Sequence, residues 1–172
     1  MHSQSKVQVP SRYARVNAWV ISHDTDAEVH FLESAFGAVE TPGSRMLDPD
    51  GDIGHVEVEI GESVLMLFDA KPGWPATPAH LRVYVGDLGA AVERAVEAGA
   101  RVVTRPTLLA FGERVARVRD AQGHLWWLHE RVEDVPPEDL AERFADPAAQ
   151  EAMAYVQRTL REEMETGATD QA

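Results

Sequence analysis

The chain of 172 residues contains no cysteine, which removes disulfides, thiolate nucleophiles and thiolate-held metals together. It has no apolar run approaching the ~18 residues of a membrane span. Met1–Lys6 carries no apolar core of a secretion signal. A cytoplasmic protein without membrane association is expected. Basic residues are scarce, with 16 Lys and Arg against 29 Asp and Glu, for a net charge of −13. Phosphate neutralisation needs a basic face, so no nucleic-acid partner is expected. Nor is there a nucleophile beside its base, a phosphate loop or an HExxH pattern.

The acidity is unevenly spread. Residues 130–172 carry twelve acids and four bases, against seventeen and twelve in the rest of the chain. A solvated helical surface on the tail accounts for most of the excess.

The chain states one pattern twice. Val16-Asn17-Ala18-Trp19-Val20-Ile21-Ser22-His23-Asp24 leads through an amphipathic run to Phe36-Gly37-Ala38. His80-Leu81-Arg82-Val83-Tyr84-Val85-Gly86-Asp87 leads through another to Ala98-Gly99-Ala100. Asp24 and Asp87 lie 63 residues apart, Gly37 and Gly99 62 apart. A repeated strand–helix–strands module points to a pseudo-symmetric domain with a shared cleft.

Within the first module, residues 14–22 alternate as a strand, and Asp24 or Thr25 can cap the helix bearing Val29, Leu32 and Phe36. Asp50-Gly51 marks a hairpin. Val56, Val58 and Ile60 alternate with His55, Glu57 and Glu59, and Ser63–Phe68 reads as a strand covered on both faces. Residues 70–79 hold three prolines and read as the module boundary. The second module supplies a strand at 80–86, a helix at 88–98 and strands near 101–105, 113–119 and 124–130. Each module is thus a βαβββ unit, giving eight strands and two helices. The domains expected are a loose arm over 1–13, the paired modules over 14–135 and a helical extension over 136–172. In that extension a helix after Pro147 carries Met153, Val156, Leu160 and Met164, a stripe that needs a partner, on the same chain or across a dimer.

These segments resemble the vicinal-oxygen-chelate superfamily, which includes glyoxalase I, bleomycin-resistance proteins, fosfomycin-resistance transferases and extradiol dioxygenases. The resemblance rests on Ala35-Phe36-Gly37-Ala38, His55–Leu67, His80–Asp87, Phe111-Gly112-Glu113-Arg114 and Arg119–Trp126. It implies an α+β fold, in which two βαβββ modules form a curved, eight-stranded mixed sheet around a cleft, with C-terminal helices added. In metal-dependent members, the first and last strands of each module hold a divalent ion. The corresponding positions here are Asn17, Met66, His80 and Trp127. Methionine and tryptophan are not ligands for zinc, magnesium or manganese, so no metal and no cofactor is expected.

Strand parity places Trp19, Met66, Phe68 and Trp127 on cleft-lining faces, with Asn17, His80, Arg82, Tyr84 and His129 to orient a ligand. Trp126 and Leu128 point the other way, into helix packing. The expected function is metal-independent binding or sequestration of a small aromatic or amphipathic molecule by a homodimer, as in bleomycin-resistance relatives. One alternative is a lyase, isomerase or dioxygenase that uses His55, Glu57 or Glu59 and His80 as a rearranged metal site, or His80 as acid–base catalyst. Another is a protein–protein module acting through the tail helix.

Overall fold

A computed structural model describes residues 8–169, which divide into two compact units. The first takes the described residues up to Glu33 together with Gly37–Thr77; the second takes Ser34–Phe36 and the residues from Pro78 onward.

The first unit contains β1 (Ala18–Ser22), all but the last three residues of α1 (Thr25–Phe36), β2 (Val39–Glu40), β3 (Met46–Leu47), β4 (Ile53–Ile60) and β5 (Ser63–Asp69). The strands lie in the order β1-β5-β4-β2, with β3 also paired to β4, and β1 runs parallel to β5. Rows of aligned residues explain the sheet's sidedness. Val20, Leu67 and Val56 form one cross-strand row, and Ala18, Leu65 and Val58 the next. All but Ala18 are buried. Asp24 caps α1 by accepting from the Ala27 N–H at 2.9 Å, and Gly37, at φ 68°, ends it in the left-handed conformation. Lys71 gathers the carboxylates of Asp48, Asp50 and Asp52 at 2.9, 2.9 and 3.0 Å, tying the start of the proline-rich segment to the β3–β4 turn.

The second unit contains β6 (His80–Tyr84), α2 (Leu88–Glu97), β7 (Arg101–Leu108), β8 (Glu113–Arg119) and β9 (Leu125–Arg131). A short 3₁₀ turn at Pro137–Asp139, α3 (Leu140–Ala145) and α4 (Pro147–Thr169) follow. Strand order is β6-β9-β8-β7, with β6 parallel to β9 and the rest antiparallel. Asp87 caps α2 as Asp24 caps α1, accepting from Ala90 N at 3.0 Å. The face bearing Val83, Leu128, Ala116, Trp126 and Val118 is buried, and α2 packs on β7, β8 and β9. Pro106 sits in β7, an edge strand where a missing donor is tolerated. Gly112, at φ 82°, has no room for a side chain, since a Cβ there would lie 2.3 Å from the Glu133 carbonyl oxygen.

The described residues thus hold nine strands in a five-stranded and a four-stranded sheet, an α+β arrangement with C-terminal helices. The ninth strand arises because the first of the antiparallel strands in module one is interrupted: β2 and β3 both pair with β4 on either side of a turn. Residues 1–7 of the expected arm and residues 170–172 of the expected extension lie outside the described residues. The end of the arm is fastened rather than loose. Tyr13 Oη donates to Glu57 at 2.6 Å, and Arg12 bonds Thr41 and Glu59, each at 2.8 Å.

The tail helix packs back on its own unit. Helix α4 lies against β7, with Val156 buried beside Leu109 and Val115, and Ala152, Met153 and Tyr155 around them. The buried face also includes Glu163 and carries a hydroxyl, Thr159, bonded to Thr104 at 2.8 Å. Met164, one of the four residues of the apolar stripe, is instead 47% exposed. The face is set by polar pairing to the sheet as much as by hydrophobic spacing.

Candidate functional site

Of the nine residues singled out in sequence, Asn17, Trp19, Met66 and Phe68 belong to the first unit. Trp19 and Met66 are aligned neighbours on β1 and β5. The Trp19 ring lies 5.4 Å from both Phe68 and His55, edge-on. Asn17 does not offer its amide to a ligand: Oδ1 accepts from Ala14 N at 3.0 Å and Nδ2 donates to Ala14 O at 2.7 Å. Glu57, which alternates with valines along β4, is buried at 5% exposure. Its oxygen takes bonds from Tyr13 and, at 3.3 Å, from His55, while Arg12 lies 3.2 Å from the other oxygen. The Tyr13 hydrogen bond is the main reason that the Glu57 carboxyl stays below its ordinary pKa, and the same bond raises that of Tyr13.

His80, Arg82, Tyr84, Trp127 and His129 belong to the second unit. Arg82 is aligned with Trp127, and Tyr84 with His129, on β6 and β9. Antiparallel pairing extends these rows onto β8, setting Trp127 beside Arg117 and His129 beside Val115. Helix α4, packed on the edge strand β7, roofs part of this face. A pocket of about 180 Å³ results. Its wall is mainly apolar (Leu109, Phe111, Val115, Met153, Val156 and Trp127), with Arg82, Arg117, His129 and Gln157 as polar points. His80 and Tyr84 are exposed and do not line it. A wider depression beside α3, lined by Asp139, Glu142, Arg143, Ala145 and Asp146, has no buried residue in its wall.

Two polar arrangements give the pocket its chemistry. His129, 5% exposed, donates from Nδ1 to Glu113 Oε2 at 2.7 Å. Burial works to raise the Glu113 pKa, but bonds from His129, Arg131 and Tyr84 outweigh it and hold the carboxyl below its ordinary value. Burial lowers the His129 pKa, against the pull of Glu113. At neutral pH the pair is therefore a carboxylate and a neutral imidazole whose proton sits on Nδ1, leaving the lone pair on Nε2. His80, by contrast, is exposed, and its ring approaches Trp127 at 6.2 Å. Sequence reading gave His129 its facing but not Glu113, because the partner lies sixteen residues away across a strand pair.

Arg117 is the second arrangement. It is 5% exposed and lies over the Trp127 ring at 3.9 Å. Its Nη1 donates to Thr104 Oγ1 at 3.0 Å and to the Val156 carbonyl at 2.8 Å. Burial lowers its pKa to about 10.

The family's metal positions were tested against these contacts. Asn17 is committed to backbone, Met66 and Trp127 supply no hard donor, and only His80 qualifies. Of the rearranged set (His55, Glu57 or Glu59, and His80), both carboxylates are engaged, by Arg12 and Tyr13. Among the described residues no group of three or more His, Asp or Glu is arranged to hold a metal ion. These side chains do not fit a divalent ion.

Farther along the same face, Glu163 of α4 receives Arg101 at 2.7 Å and also Arg119. The two guanidinium groups overcome the effect of burial and hold its carboxyl below the ordinary range. A depressed carboxylate pKa adds stability that is complete above about pH 4.3 and is lost as pH falls through the folded-state value. His129 acts earlier on the same limb: the unfolded chain takes up its proton first, below about pH 6.5. Acid unfolding followed by circular dichroism is expected to show both steps, and Glu163→Gln to flatten only the lower one.

With this geometry in hand, comparison with known proteins is informative. A sequence profile of the Glyoxalase/Bleomycin resistance protein/Dioxygenase superfamily matches residues 13–128. The chain belongs to that superfamily. An uncharacterized protein of Mycobacterium tuberculosis, Rv0887c, is 30% identical over 132 residues, spanning 70% of this chain and 76% of that one. Among solved structures, TioX from Micromonospora sp. ML1 is similar at 25% identity with a TM-score of 0.54, over 67% of this chain and 98% of TioX. The fosfomycin resistance protein FosX of Mesorhizobium loti shares the fold at 18% identity, with a TM-score of 0.53, over 74% of this chain and 97% of FosX. The superfamily match stops before His129 and before the whole of α4. No described helix is long and apolar enough to cross a membrane.

Proposed function

We propose that this superfamily member binds a small aromatic or amphipathic molecule, without a metal, in the pocket between the second sheet and α4. The observation that carries the reading is the combination of an indole wall, aliphatic lining and four polar groups in one concave site. That composition is what a small-molecule site requires. Burial of a phenyl-sized ligand at ~25 cal/mol per Å² supplies several kcal/mol before association costs are met. Micromolar affinity follows from that balance. The cleft expected from Trp19, Met66 and Phe68 is replaced in this reading by a pocket built on Trp127, Arg82 and His129. A homodimer in the cytoplasm remains part of the proposal.

The test uses phenylacetamide and phenylacetate as probes in calorimetric titration. One molecule of at least one of them per chain is expected to bind, and Trp127→Ala to weaken it by more than tenfold with the circular dichroism spectrum unchanged. Equal affinity in that variant means that the indole is filler, and the reading fails.

A second reading is catalytic. A neutral His129 held by an ionised Glu113, with Nε2 used by no hydrogen bond among the described residues, is the geometry of a general base. It would accept a proton from an acidic carbon or hydroxyl of the bound molecule.

A further inference from the structure

We infer that the ligand of this pocket carries a carboxylate or a comparable single-headed anion, and that Arg117 is the residue that reads it. The inference rests on the binding reading above and deepens it by naming the ligand class.

The argument starts from charge. The chain has a net charge of −13, yet no Asp or Glu lines this pocket, while Arg82 and Arg117 do. Arg117 is a buried guanidinium with no described carboxylate within 4 Å and with burial as the cause of its lowered pKa. Every other arginine that is not exposed has a carboxylate within 4 Å: Arg45 has Glu40, Arg114 has Glu130, Arg119 has Glu163 and Arg143 has Glu133. Burying a cation without an anion is costly, and removal of one partner of a buried pair leaves the same penalty.

Geometry narrows the reading. Nη1 supplies both hydrogen bonds, to Thr104 and Val156, which fixes the plane of the group. Nε is sealed from water and has no hydrogen-bond acceptor, and Nη2 makes no hydrogen bond among the described residues. A guanidinium pre-set by its Nη1 contacts, with Nη2 left unused, is arranged to meet one oxygen of a carboxylate. The Trp127 ring beneath it and the apolar wall beside it then take the ligand's body, and Arg82 adds a second positive charge at the exposed rim. Ligand and protein fit by exchange: the anion brings the charge that Arg117 lacks.

Phenylacetate and its neutral isostere phenylacetamide separate this inference from the reading beneath it. Wild-type protein at pH 7 is expected to bind phenylacetate at least tenfold more tightly, and Arg117→Met to reduce that preference to less than twofold. Should Arg117→Met fail to fold, the side-chain Nε–H resonance of Arg117 in wild-type protein is followed by NMR. It is expected to move on addition of phenylacetate and to stay in place with phenylacetamide. Equal binding of the two probes keeps the pocket and overturns the anion. Preference that survives Arg117→Met, or an Nε–H resonance that phenylacetate leaves unmoved, overturns Arg117 as its reader. Binding of neither probe sinks both readings.

Discussion

Deletion of residues 147–172 is expected to lower the melting temperature of the second unit by roughly 10 °C or more and to erase its binding pocket. Helix α4 is not an appendage. It covers Leu109 and Val115 with Val156, and exposing such a cluster costs on the order of 2 kcal/mol per large side chain. It also supplies the Val156 carbonyl to Arg117 and the Glu163 carboxylate to Arg101 and Arg119. Loss of an acceptor from a buried donor costs about 1–3 kcal/mol. A total near 4 kcal/mol corresponds to about 8–16 °C for a chain of this size. Differential scanning calorimetry and probe titration on the truncated chain provide the check. A truncated protein that melts normally and binds as before would show that the helix is dispensable. If the tail acts instead as a protein–protein module, the other sequence-based alternative, the same deletion abolishes association and leaves the pocket intact.

Asp120→Ala is expected to cost about 3–5 kcal/mol, the largest loss from any single substitution considered. Asp120 is 5% exposed and serves three donors. Its Oδ1 accepts from the backbone N–H groups of Gln122 and His124 at 2.9 Å each, closing the turn between β8 and β9. Its Oδ2 accepts from the indole N–H of Trp126 at 2.7 Å, and Trp126 is 1% exposed in the core beneath α2. Alanine removes all three acceptors at once, in a place that water does not reach. Asp120→Asn should recover part of the loss, because its carbonyl still serves the backbone while its amide meets the indole donor to donor. Chemical denaturation of the three proteins ranks them; an alanine variant within 1 kcal/mol of wild type would refute the account.

Asp120 and the two helix caps also show what a sequence of this kind makes legible. Asp24, one of the two residues that could cap the first helix, is its cap, and Asp87, its counterpart in the repeat, caps the second; both signals are local because a cap acts over three residues. The division of Trp126 from Trp127 followed from the two-residue period of a strand: one indole lies beneath α2, and its neighbour faces the pocket. The repeat conveyed the α+β architecture for the same reason, since each of its signals is local.

The site was less legible because its decisive contacts are distant in the chain. Nothing near Arg117 indicates that it is buried, and its partners Thr104 and Val156 lie 13 and 39 residues away. His80 drew notice by heading a repeated strand, whereas His129 gained its chemistry from Glu113 across the sheet. The alternation of Glu57 with valines does not show its burial, because its cover, Tyr13, comes from a segment with no periodicity. The tail helix was identified from its apolar stripe, yet Thr159 and Glu163, which such a stripe omits, help to dock it.

Helix α4 brings one more consequence. Because Met153, Val156 and Gln157 enclose the pocket from a stretch beyond the superfamily match, the proposed binding would take part of its selectivity from outside the matched scaffold. Two proteins with indistinguishable β-modules and divergent tails would then select different guests, and swapping residues 147–169 between them would transplant the selectivity.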